Sequence, residues 1–125
     1  MIFDTDVLVW ASRGSLRAAR TIDAAADRAL SIVSFMELIQ GARSKLEARQ
    51  IRQSLRQLQF RILPLSESIG ATAAATVEQH ALAHGIQPAD ALIGATAIET
   101  DHPLCTANVK HFRPIGALSP VAFRP

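Results

Sequence analysis

At 125 residues the chain has the length of one domain, and with 49% of its residues hydrophobic it carries enough apolar surface for a core of its own. Thirteen Lys and Arg against eleven Asp and Glu leave a net charge of +2, which excludes capture of polyanions through a strong overall field; any basic patch has to be local. No apolar run approaches the roughly 18 residues of a membrane span, the single Cys105 has no partner within the chain, and acids stand early where a secretory signal needs a basic start, so a soluble protein of the reducing cytoplasm is expected.

Residues 1–10 read as a short apolar strand interrupted by Asp4 and Asp6, two carboxylates at odds with its burial. Residues 15–29 place Leu16, Ala19, Ile22, Ala26 and Ala29 at helical spacing, and the apolar run 30–33 reads as the second strand. Ser34 and Glu37 match a Ser-x-x-Glu capping box that would start a helix ending near Gly41. Leu46, Ile51, Leu55 and Leu58 mark a helix over 45–59, and 61–65 is a short strand closed by Pro64 and Ser66. A helix over 68–83 stops at Gly85, and Pro88 suits the first turn of the next, which runs to about residue 100. Residues 103–106 form a fourth strand, with a weaker one at 121–123. The alternation predicts an α/β fold with a parallel sheet of four or five short strands, whose site lies beyond the strands' carboxyl ends.

Asp4, Asp6, Glu37 and the turn at residues 106–108 all project there, and Asp90 opens the helix that follows Pro88. Carboxylates about 5 Å apart repel by roughly 3 kcal/mol per pair at an effective dielectric near 20, so a converged cluster either keeps one carboxyl protonated or binds a cation. An all-oxygen donor set favours Mg²⁺ or Mn²⁺ over zinc, and Mg²⁺ favours a phosphate ester as substrate. Each acid also has a structural use: Glu37 in its capping box, Asp90 against a helix dipole, Asp4 as a turn cap.

Four segments taken together resemble the PIN-domain nucleases: 1–8 (MIFDTDVL), 34–38 (SFMEL), 88–97 (PADALIGATA) and 104–112 (LCTANVKHF). The resemblance spans nearly the whole chain, residues 1–125 as one PIN-like domain, and is closest to toxin ribonucleases of the VapC type from prokaryotic toxin–antitoxin pairs. It implies a three-layer sandwich with helices on both faces of the sheet. It also implies Asp4, Glu37 and Asp90 as catalytic metal ligands for Mg²⁺ or Mn²⁺, with Thr5 and Thr106 in support. Many relatives have a fourth aspartate where this chain has Asn108, and Asp6, often Asn in the family, is expected to support the ligands. The implied activity is hydrolysis of RNA phosphodiesters, the implied partners a cognate antitoxin and a second copy of the chain, with no membrane.

Arg13 and Lys110 lie near the acidic motifs and are candidates for holding a phosphate. Residues 43–61 carry six basic side chains against Glu47, with Arg49, Arg52 and Arg56 on one helical face, read either as a contact for RNA phosphates or as a solvated face, in a region that the resemblance implies for dimer or antitoxin contacts. His80 and His84 have metal-ligand spacing without a third ligand, His111 reads as a capping or surface residue with substrate contact as the alternative, and Trp10 and Phe35 as core or interface. Two competing readings are a haloacid-dehalogenase-like phosphatase built on Asp4 and Asp6, which lacks its expected lysine and late acidic pair, and a non-catalytic RNA-binding domain.

Overall fold

Only Ile2–Phe3 form strand β1, and the computed structural model describes all residues 1–125. Asp4 ends the strand by turning its carboxylate onto the next backbone N–H: Oδ1 accepts from Thr5 N at 2.8 Å, and helix α1, Thr5–Ser12, starts there. The strand expected beyond Phe3 is therefore corrected, since Val7 and Leu8 are buried as one face of a helix. An apolar run this short suits either element, and the N-cap decides.

Helix α2, Leu16–Ala24, follows its cap Ser15, and strand β2 is Ala29–Ser31. Ser31 caps helix α3, Ile32–Gln40, by accepting from Val33 N at 3.1 Å. The capping box expected from Ser34 and Glu37 does not form: Ser34 lies inside α3, buried, with its hydroxyl unpartnered. Ser31 supplies the acceptor three residues earlier, so Ile32 and Val33 enter the helix and Glu37 is released from backbone duty.

Helix α4, Lys45–Gln57, is capped by Ser44, strand β3 is Arg61–Leu63, and helix α5, Glu67–His84, runs from its cap Ser66 to Gly85, whose φ of 66° closes it in the left-handed region. Pro88 opens helix α6, Pro88–Glu99; strand β4 is Leu104–Thr106, a short helix α7 covers Val109–Phe112, and β5 is Pro120–Ala122. Helix α7 was not expected, because four residues are too few for a helical period to show.

The strands form one parallel sheet in the order β3-β2-β1-β4-β5. Pro120, with no N–H to donate, starts the edge strand β5, where a missing donor costs least. Alternate residues of the central strands feed two cores: Ile2, Ala29 and Leu104 pack with α5 and α6, while Phe3, Leu30 and Cys105 pack with α1, α2 and α4. Helices thus cover both faces, as the expected three-layer sandwich requires. Burial pushes the Cys105 thiol up to about 11, so it behaves as a small hydrophobe.

At the sheet's amino end the Arg28 guanidinium donates to the carbonyls of Ile22, Leu58 and Asp23, tying the ends of α2 and α4 together. Asp27 takes a two-pronged bond from Arg61 at 3.0 and 2.7 Å, which holds its exposed carboxyl below the usual carboxylate range. Gly70 stands inside α5, and a Cβ there would meet nothing within 4 Å. Gly70→Ala is expected to raise stability by about 1 kcal/mol by removing backbone freedom from the unfolded chain, a gain that chemical denaturation measures.

Candidate active site

The parallel sheet leaves all its carboxyl ends on one side, and there a cleft of about 480 Å³ opens between α1, α3, α6 and α7. Asp4, Thr5, Asp6, Arg13, Glu37, Asp90 and Asn108 line it, together with Val9, Trp10, His111 and Phe112. Of the residues singled out in the sequence, Thr106 is fully buried at the end of β4, and Lys110 is an exposed residue of α7 that is not part of the lining. The expected phosphate contact from Lys110 is thus not placed in the cleft; its neighbour His111 is.

Asp4 is the deepest acid, 7% exposed. Besides the bond from Thr5 N to Oδ1, its Oδ2 accepts from the Thr106 hydroxyl at 2.8 Å. Burial, then the nearby charge of Asp6, pushes its carboxyl up to about 7 despite these bonds, and Asp90 adds to the rise. Asp6, in the first turn of α1, accepts from Ala107 N at 3.1 Å through Oδ2, and its pKa is also raised, chiefly by burial. Its other oxygen, Oδ1, is buried with no partner.

The Thr106 hydroxyl is a relay: it donates to Asp4 and accepts from Asn108 N at 3.0 Å, so the β4–α7 turn and the β1–α1 turn are held to each other through one oxygen. Thr106→Val removes the donor that favours the Asp4 carboxylate and leaves Asn108 N unpaired. The Asp4 titration followed by carboxyl NMR is expected to move above its wild-type value, with a stability loss of about 1 to 3 kcal/mol.

Glu37 reaches the cleft from α3 and accepts from the Thr5 hydroxyl at 2.7 Å. Asp90, in the first turn of α6, stands 2.9 Å from Nε2 of His111. Of the two readings of His111, the structure favours the one at the site over a capping or surface role: α7 turns its ring onto an acid of the cleft. Trp10, read as core or interface, is 40% exposed and lines the cleft wall. A helical reading of residues 5–12 would have found it, because Asp6, Trp10 and Arg13 recur at helical spacing along α1 and its cap.

The donor set is carboxylate oxygen, suited to a hard divalent cation, and the orphaned Oδ1 of Asp6 together with the mutual repulsion felt at Asp4 are what such a cation would relieve. The acids share the cleft without closing up: as placed, no three His, Cys, Asp or Glu side chains stand close enough to surround one ion. Glu37 is turned onto Thr5 and Asp90 onto His111, so each acid is engaged with a neighbour at the cleft rather than with the other carboxylates.

A parallel α/β sandwich with carboxylates gathered beyond its central strands defines a class of acidic-cleft proteins, and similarity to known proteins narrows it. The PIN domain family matches residues 1–116. Over 124 residues, 96% of this chain and 91% of the relative, the sequence is 35% identical to ribonuclease VapC10 of Mycobacterium tuberculosis. The fold is similar to that in a toxin–antitoxin complex from Klebsiella pneumoniae, with a TM-score of 0.79 and 27% identity over 94% of this chain and 93% of that one. It is also similar to VapBC2 from Rickettsia felis bound to a DNA fragment from their promoter, with a TM-score of 0.80 and 23% identity over 99% and 100% of the two chains. The chain belongs to the PIN-domain family, whose ribonucleases generally depend on divalent metal ions. No helix is long and apolar enough to cross a membrane.

Proposed function

We propose that the chain, as a single PIN unit over residues 1–125, is a metal-dependent endoribonuclease and the toxin of a toxin–antitoxin pair, hydrolysing RNA phosphodiesters in the acidic cleft. The observation that carries this reading is the gathering of Asp4, Asp6, Glu37 and Asp90 in one cleft of a chain 35% identical to a ribonuclease. Asp4, Glu37 and Asp90 are the residues that would hold Mg²⁺ or Mn²⁺, and Asp6 joins them through its unpartnered oxygen. Bound there, a hard cation supplies polarisation of a phosphate ester and offsets the carboxylates' repulsion.

The chain's own residues set the stage for that chemistry. Thr106 and Thr5 N fix both oxygens of Asp4, so its position is set before any substrate arrives. Thr5 and His111 hold Glu37 and Asp90 at the cleft edge. Asn108 offers an amide and no charge where relatives often have an acid, and Arg13 is the cation of the cleft wall that meets a phosphate. The same reading gives the protein two partners, a cognate antitoxin and a second copy of the chain, and a cytoplasmic setting that keeps Cys105 reduced.

The test is incubation of the protein with single-stranded RNA in Mg²⁺ and in EDTA. Cleavage in Mg²⁺ that EDTA abolishes is the expected result. Binding without cleavage under both conditions restores the RNA-binding alternative, and an acyl-phosphate trapped on Asp4 restores the phosphatase.

A further inference from the structure

We propose that Trp10 is a stacking platform for one unpaired base of the RNA, set between the acids of the cleft and a phosphate held by Arg13, an inference that rests on the reading of the cleft as an RNA site. Helix α1 builds this wall. At about 100° per residue, Asp6, Trp10 and Arg13, the helix's C-cap, fall within an arc of about 60°, while Val7, Leu8 and Ala11 turn the opposite flank into the core. All three line the cleft. From the N-cap Asp4, the deepest acid, the wall presents Asp6, then Trp10 about 6 Å further along the axis, then Arg13 about 4.5 Å beyond it.

Packing does not use the indole in full. Trp10 is 40% exposed, whereas Phe112, the phenyl ring of the lining, is 1% exposed and keeps no face for a ligand. Leaving part of a large ring in water costs hydrophobic free energy that a stacked ring recovers. Arg13 is the one Lys or Arg of the lining; it is exposed and pairs with no acid, although four carboxylates share the cleft with it. A strand running along α1 therefore finds a partner for its phosphate at Arg13 and one for its base at Trp10, a turn nearer the acids.

The surroundings of the ring favour a base over a protein side chain. Carboxylates, an amide and a guanidinium line the cleft around this single open ring, whereas protein contacts centre on clustered apolar and aromatic anchors. A flat ring beside a cation is the pairing by which proteins hold single-stranded nucleic acid, stacking its bases and neutralising its phosphates. Duplex bases are already stacked on one another, so the platform selects unpaired nucleotides.

Trp10 is the only tryptophan of a chain without tyrosine, so intrinsic emission reports on this ring alone. Wild type is titrated with a single-stranded RNA, with the duplex of the same sequence and with inorganic polyphosphate, in EDTA and in Ca²⁺, while anisotropy of the labelled RNA follows binding separately. Saturable quenching by the single strand is expected, with little from the duplex and none from polyphosphate. Trp10→Ala is expected to bind the single strand roughly 5- to 150-fold more weakly, and in Mg²⁺ to raise KM more than it lowers kcat. Trp10→Leu, which keeps apolar bulk without a π face, loses as much, and Trp10→Phe falls between it and wild type. Arg13→Gln makes the slope of log K against log salt shallower by about 0.7. Circular dichroism checks the fold of each variant, and the wild-type titration needs none of them.

Absence of quenching in both conditions overturns the proposal, as do equal quenching by duplex or polyphosphate and wild-type affinity in Trp10→Leu. A Trp10→Ala protein that keeps its RNA affinity but sediments as a monomer where wild type is a dimer also overturns it, and assigns the ring to a second copy of the chain. The two readings fail separately. Cleavage in Mg²⁺ without quenching leaves the nuclease standing and removes the platform, whereas quenching without cleavage removes the nuclease and leaves the platform in an RNA-binding cleft.

Discussion

Asp4→Asn is expected to abolish RNA cleavage and, in the absence of metal, to make the protein more stable at neutral and alkaline pH. The folded protein holds the Asp4 proton up to about 7, whereas the unfolded chain releases it near 3.8. Between those values the folded state binds more protons than the unfolded one, so the metal-free protein loses stability as pH rises, by as much as about 4 kcal/mol once pH passes 7. Burial of Asp6 acts in the same direction. Asparagine removes the cost, and the existing bonds accommodate it: its carbonyl oxygen can accept from Thr5 N, its amide can donate to Thr106, and the freed hydroxyl proton can turn to Asp6, 3.5 Å away.

Activity moves the other way. Asp4 is proposed as a direct ligand, so the expected loss is on the order of a thousandfold or more, beyond the tenfold to hundredfold typical of groups that only orient ligands. Melting curves in EDTA at pH 6 and pH 8, beside a cleavage assay in Mg²⁺, measure both effects. A variant that melts below wild type at pH 8, or that still cleaves RNA, contradicts the assigned role.

The largest expected change in stability belongs to the residue before it. Phe3 is fully buried in the core formed with α1, α2 and α4, and its ring meets Phe60 edge-on with centroids 5.7 Å apart. Phe3→Ala removes the transfer energy of the ring and leaves a void between sheet and helices, a loss of about 3 to 5 kcal/mol. That is a large share of the 5 to 15 kcal/mol typical of a domain, so the urea midpoint is expected to collapse toward zero denaturant. A loss under about 1 kcal/mol would show that this face of the sheet repacks freely.

Much of the architecture was legible because it follows from local rules. Gly85 and Pro88 mark helix ends through dihedrals that reach no further than a turn, and the apolar spacing of α4 shows its helical period. The errors fall where two local rules compete. Ser31 and Ser34 are both fit to cap α3, and the apolar residues after Asp6 suit a strand as well as a helix.

The sequence by itself determined the chemistry on offer: hard oxygen donors, no sulfur or imidazole set for zinc, alternating strands and helices that send their loops to one end, and a cluster of cations on α4. Tertiary structure alone decided how those groups are used. It buried Asp4 and thereby pushed its carboxyl to about 7, left one oxygen of Asp6 without a partner, and set His111 against Asp90 across 21 residues of chain. Desolvation and pairing depend on which distant segments pack together, and no spacing along the chain encodes the distance between a carboxylate and water.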